Sequence, residues 1–146
     1  MNGPRLSSEN LHASTVALDG RAVIISGPSG SGKSDLTLRL IDRGFGLVSD
    51  DRTIVRKAGD QVIASAPDTI SGKLEIRGIG IIDMPYVGDV PVALVVDLTS
   101  NITRMPDDAR ERTILGIGIP LISVDAITAS APSKVAIALD RLGLKF

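Results

Sequence analysis

The stretch "ISGPSGSGKSDLTLRL", residues 25–40, sets a turn crowded with glycine, and carrying one lysine, between an apolar run and a helical pattern. Within it "GPSGSGKS", residues 27–34, fits G-x-x-x-x-G-K-[ST] at every fixed position, and the flanks that the motif requires, a strand before and a helix after, are both present. A glycine-rich loop turns successive backbone N–H groups toward one point, and the following helix adds its positive end, so the loop suits a polyphosphate. Gly27, Gly30 and Gly32 supply the curvature, and Pro28, Ser29 and Ser31 fill the variable positions of the same nucleotide-binding loop. Lys33 is placed to reach the β- and γ-phosphates as a point charge, and Ser34 to ligate Mg²⁺ through its hydroxyl. A plain glycine-rich turn capped by serine requires neither the lysine nor both flanks.

Outward from the loop, the chain alternates short strands with turn signals. "STVALDGRAVII" reads as two strands joined at Asp19-Gly20, the second feeding the loop. "KSDLTLRLIDR" puts Leu36, Leu40 and Ile41 on one face of a helix closed by Gly44. "GFGLVSDD" is a further strand, and "TIVRKAGDQVIASAP" a hairpin turning at Ala58-Gly59-Asp60. "LEIRGIGIIDM" and "PVALVVDL" each read as one strand, the second buried on both faces, and "TILGIGIPLISV" as a strand pair. "TSNITRMPDDARER" is polar and reads as a surface loop or short helix, while "PSKVAIALDRL" is a closing amphipathic helix begun by Pro132 and Ser133. Residues 1–10 carry no period and are read as a flexible tail, with a single domain over residues 11–146.

Composition narrows the function. The 16 Lys+Arg and 17 Asp+Glu give a net charge of -1 with no charge blocks, which argues against a nucleic-acid face. Two Phe, one Tyr and no Trp leave little for bases to stack on. The absence of cysteine removes disulfides, thiolate metal sites and a thiol nucleophile. No apolar run has the length of a membrane span or the form of a signal peptide, so the expectation is a cytoplasmic protein without membrane contact.

Three further residues bear on chemistry. Asp50 and Asp51, in "VSDD", close a strand near the loop, where carboxylates can hold Mg²⁺ or take a proton from an acceptor hydroxyl; the same pair can equally cap the next turn. His12, the one histidine, precedes the first strand and lies beside the phosphates if that strand neighbours the loop. Glu75 is another anion within reach of a metal, unless alternation pairs it with Arg77 on one strand face.

The ordered set "LHASTVALDG", "GPSGSGKSDL", "RGFGLVSDD", "KLEIRGIGIID" and "TILGIGIP", spanning residues 11–120, resembles HPr kinase/phosphorylase, the enzyme that phosphorylates a serine of the phosphocarrier HPr. The resemblance is to its catalytic domain in the short form that lacks an N-terminal domain. It implies an α/β P-loop fold of the phosphoenolpyruvate carboxykinase type, with a mixed β-sheet and flanking helices. It implies ATP and Mg²⁺ as cofactors, an HPr-like partner and a homo-oligomer, hexameric in longer members. It also implies Asp50 as the catalytic carboxylate, His12 beside it, Lys33 and Arg104 as further catalytic groups, and Ser34, Asp51 and Glu75 around the metal. Where the family carries a basic, proline-containing stretch, this chain has "SVDAITASAPSK", which puts the phosphorylase activity and the hexamer in question.

Two other readings share the loop. A small-metabolite kinase usually closes an arginine-rich lid, and "RMPDDARER" is equally acidic; a nucleotide-sensing module transfers nothing and needs no paired aspartates. A GTPase lacks its N-K-x-D motif here.

Overall fold

In the computed structural model, which describes residues 7–102 and 109–146, the chain runs β1 (Ser8–Leu11), β2 (Ser14–Leu18), β3 (Arg21–Ser26), α1 (Lys33–Asp42), β4 (Gly46–Ser49), β5 (Thr53–Ala58) and β6 (Gln61–Ser65). A single 3₁₀ turn at Asp68–Ile70 follows, then β7 (Lys73–Ile76), β8 (Gly80–Asp83), β9 (Val90–Leu98), β10 (Glu111–Ile114), β11 (Ile117–Val124) and α2 (Ala131–Leu142). The β2–β3 turn forms where read: Asp19 and Gly20 take φ of 53° and 75°, the pair of positive values that a tight hairpin requires.

The main sheet has the order β1-β5-β6-β9-β3-β2-β4 and is mixed, with β9 parallel to both β3 and β11 and the other pairs antiparallel. One edge of β9 is shared: β6 pairs at Val90 and Pro91, and β11 takes over from Val95 to the end of the strand. Branching here curls the sheet, so β9 is covered on both faces, as its unbroken apolar run suggests.

Alternation assigns the two faces. Val23, Ile25, Leu94 and Val96 pack under Leu36 and Leu40 of α1 and Val135 and Leu139 of α2. Ile24, Val95, Val55, Val62, Ile114 and Ile119 form the core on the other face. Leu94 is fully buried at the centre of the helix-covered face. Leu94→Ala is expected to cost about 2–5 kcal/mol through lost burial and the cavity left behind, read as a lower midpoint in urea unfolding with an unchanged slope.

Three expectations change. "LEIRGIGIID" is a hairpin, β7 and β8 forming their own two-stranded sheet, because Gly78 and Gly80 take φ of 86° and 121° and turn the chain at Arg77–Ile79. Arg77 thus sits in the turn and makes no ion pair with Glu75 among the described residues. Order also begins earlier than Leu11: Ser8–Leu11 pairs antiparallel with β5 along its whole length. Part of the polar stretch read as a surface loop is strand β10, from Glu111. No helix among the described residues is long and apolar enough to cross a membrane.

Candidate active site

The phosphate loop leaves β3 at Ser26 and enters α1 at Lys33. Gly32 caps the helix in the left-handed region at φ 98°, so a side chain there is strained, and an added Cβ would also lie 3.1 Å from the Ala126 Cβ. Gly32→Ala is expected to cost about 1–2 kcal/mol and to weaken nucleotide binding, because the loop N–H groups rotate with the cap; thermal unfolding and a nucleotide titration check both.

Lys33 is largely buried, and its ammonium donates to the carbonyls of Gly27 at 2.8 Å and Pro28 at 3.1 Å. Two of its three protons hold the loop closed, and the third has no partner among the described residues. Ser31 N–H donates to the Pro28 carbonyl at 3.0 Å, while the Ser31 hydroxyl is buried without a partner and sits where a Gly27 side chain would be.

In front of the loop lies a cavity of about 790 Å³. Ser29, Gly30, Gly32, Lys33 and Ser34 line it from the loop, Leu38 from α1, Asp51 from the end of β4, and Glu75 to Ile81 from the β7–β8 hairpin. The volume falls in the range of small-ligand sites. Gly27, Pro28 and Ser31, the other loop residues, are not among those lining it.

The paired aspartates do different things. Asp50 is 7% exposed and accepts three hydrogen bonds: from the Ser34 hydroxyl at 2.8 Å, the Ser14 hydroxyl at 3.0 Å and the Glu75 N–H at 3.1 Å. It ties the start of α1, β2 and β7 together at one carboxylate. Asp51, two residues past the end of β4, takes φ 67°, and its N–H donates to the Ser14 hydroxyl at 3.0 Å. Its carboxylate is 60% exposed and lies 2.8 Å from His12 Nε2. The resemblance had Asp50 as the group facing the acceptor and Asp51 at the metal; here Asp50 is bonded to Ser34 and Asp51 borders the cavity. Arg104 lies outside the described residues.

The chain brings no group of three or more His, Asp or Glu together as a metal cage among the described residues. What it offers is an all-oxygen set lining one cavity, the Ser34 hydroxyl with the carboxylates of Asp51 and Glu75, beside a phosphate loop. That set fits Mg²⁺, which prefers oxygen and takes one or two carboxylates with the substrate's phosphates.

A second, smaller hollow of about 240 Å³ holds His12, Ser26 and Arg112. Arg112 Nη1 donates to the Ser26 hydroxyl at 2.8 Å. Its position in β10 was hidden inside a stretch that reads as a polar loop, and the alternation of "ERTI" is the signal that marks it as a strand residue.

A phosphate loop between β3 of a mixed sheet and α1, with a buried carboxylate bonded to its serine, makes this a P-loop protein. Residues 5–139 match the family model described as the HPr Serine kinase C-terminal domain, and the chain belongs to that family. It is 33% identical to the HPr kinase/phosphorylase of Chlorobium limicola over 94% of this chain and 45% of that protein. To the HPr kinase/phosphorylase of Latilactobacillus sakei subsp. sakei it is 33% identical over 85% of this chain and 44% of that protein. The chain thus spans under half the length of these curated relatives. The solved Hpr(Ser) kinase/phosphatase of Coxiella burnetii superposes with a TM-score of 0.80 at 32% identity, covering 90% of this chain and 88% of that one.

Proposed function

We propose that this domain transfers the γ-phosphoryl group of ATP to a serine of an HPr-like phosphocarrier protein, in the cytoplasm and with Mg²⁺ bound. The single observation that carries the reading is the shared cavity: Lys33 and Ser34 line it on one side and Asp51, paired with His12, on the other. Relatives that carry this domain are named HPr kinase/phosphorylase, which supports the choice of acceptor.

In the transfer, the serine oxygen bonds to the γ-phosphorus as the bond to the bridging oxygen breaks, and ADP leaves with that electron pair. Asp51 accepts the serine proton, and His12 holds the Asp51 carboxylate toward the cavity. Asp51, rather than Asp50, has this role in our reading, since three donors already occupy Asp50. Lys33 and the loop N–H groups set positive charge against the phosphoryl oxygens. Ser34 and Glu75, which both line the cavity, would hold Mg²⁺, with Asp50 fixing the Ser34 hydroxyl; the metal would supply further charge neutralisation when bound. Arg104 is assigned by the resemblance to contact with HPr and assistance in transfer.

Mass spectrometry of HPr from the same organism, after incubation with the protein, ATP and Mg²⁺, tests the reading. One added phosphate on a serine is the expected product, and its loss on adding inorganic phosphate, with pyrophosphate formed, shows the phosphorylase reaction. Unmodified HPr together with measurable ATP binding contradicts the assignment and favours a metabolite kinase or a nucleotide sensor. The hexamer that the resemblance implies is checked by the mass of the protein in solution.

A further inference from the structure

Ser14 opens β2 and is fully buried, in a strand whose Val16 and Ala17 belong to the apolar core. A buried hydroxyl is costly unless it is bonded, and both bonds of this one go to the paired aspartates. Its oxygen accepts the Asp51 N–H at 3.0 Å, and its proton goes to Asp50 Oδ1 at 3.0 Å. A serine hydroxyl has a single hydrogen, so the direction of the chain is fixed. The same Oδ1 accepts the Ser34 hydroxyl at 2.8 Å. Three hydrogen bonds therefore lead from the Asp51 backbone, through Ser14 and Asp50, to the serine of the phosphate loop.

Asp51 is otherwise lightly held. It stands outside the strands with φ 67°, and among the described residues its side chain bonds only His12. His12 and Ser14 are two residues apart where the chain enters β2, so one short segment grips Asp51 at its carboxylate and at its backbone N–H. The His12 side chain is 57% exposed, whereas Ser14 is sealed in the core. Ser14 is thus the rigid one of the two anchors. It does not line the nucleotide cavity, although Asp51 and Ser34 both do, so any part it has in the chemistry passes through those residues.

We propose that Ser14 is a positioning residue for phosphoryl transfer: it fixes the backbone of Asp51 against the carboxylate that holds Ser34, and so sets where the proton acceptor stands relative to the phosphate loop. This rests on the kinase reading, with Asp51 as the group that takes the proton of the acceptor serine. Without the Ser14 hydroxyl, the Asp50–Asp51 peptide loses its tie to β2 and is free to rotate, carrying the Asp51 carboxylate with it. A displacement of about 1 Å in a reacting group costs on the order of 10²-fold in rate. Asp50 keeps its bonds from Ser34 and the Glu75 N–H, so the phosphate loop keeps its own support.

The test is steady-state kinetics of the full chain with ATP, Mg²⁺ and HPr in wild type, Ser14→Ala, Ser14→Thr and Ser14→Val, with urea unfolding giving the folded fraction of each. Ser14→Ala is expected to lower kcat about tenfold to a hundredfold and to leave KM for ATP little changed, the split that marks an interaction acting in the transition state. Ser14→Thr keeps the hydroxyl and is expected to hold most of the rate. Ser14→Val has the same shape without it and is expected to fall as Ser14→Ala does. In an Asp51→Asn background, Ser14→Ala is expected to slow transfer no further, because its effect runs through that carboxylate. An unchanged kcat per folded Ser14→Ala protein, whatever its stability, overturns the proposal, and so does a Val variant as fast as the Thr variant. An undiminished effect of Ser14→Ala in the Asp51→Asn background also overturns it, since the action would then lie on Asp50 and Ser34. A wild type that binds ATP but never modifies HPr refutes the kinase reading, whereas a competent wild type beside an unimpaired Ser14→Ala refutes the positioning role alone.

Discussion

Asp51→Asn is expected to slow phosphoryl transfer by about 10²–10⁴-fold while leaving nucleotide binding and stability nearly intact. Asparagine tolerates the left-handed backbone at least as well as aspartate, so the φ of 67° at this position is retained. The Asp51 carboxylate is mostly exposed and bonds no side chain but His12 among the described residues, so its loss removes a proton acceptor and little packing. Asp50→Asn is the informative contrast. An amide carries one acceptor oxygen and an NH₂, and it cannot accept from Ser34, Ser14 and the Glu75 N–H together. Leaving buried donors unsatisfied costs about 1–3 kcal/mol, so that variant is expected to lose stability as well as activity. Initial rates with urea unfolding on both variants separate the roles; equal stability loss in the two would contradict them.

Lys33→Met is expected to reduce transfer by about 10³-fold, the scale seen when one preorganised donor to developing charge is removed. Methionine keeps most of the buried stem but cannot donate to the carbonyls of Gly27 and Pro28. The loop then loses its internal tie as well as its charge, so nucleotide affinity is expected to fall with the rate. Single-turnover rates at saturating ATP isolate the chemical loss. A rate restored to the wild-type level by saturating nucleotide would show that Lys33 only binds, and would remove it from the transfer step.

Much of the candidate site's layout was legible because it is local. The phosphate loop is eight consecutive residues with fixed chemistry, and the strand and helix around it follow from a change of period at Ser26 and Lys33. The Asp19-Gly20 turn and the β5–β6 hairpin were legible for the same reason. The β7–β8 hairpin was not, because alternating Ile and Gly in "IRGIGII" has the period of a strand, and the turn depends on positive φ at Gly78 and Gly80. β1 was missed because "SENL" is polar and exposed, and its order comes from pairing with β5, distant in sequence. The different surroundings of Asp50 and Asp51 are likewise tertiary: Ser14, Ser34 and Glu75 arrive from three other elements to bond Asp50, and no pattern within "VSDD" announces it. The contact of Arg112 with Ser26 could be seen only once β10 was found to carry it there.

The most direct test of the central claim is a single-turnover reaction of the protein with γ-labelled ATP, Mg²⁺ and HPr, quenched in strong acid. A phosphoserine ester survives acid whereas a phosphohistidine does not, so the account predicts acid-stable label on HPr that disappears with Asp51→Asn. Label that stays in ATP, or that washes out of HPr in acid, would contradict it.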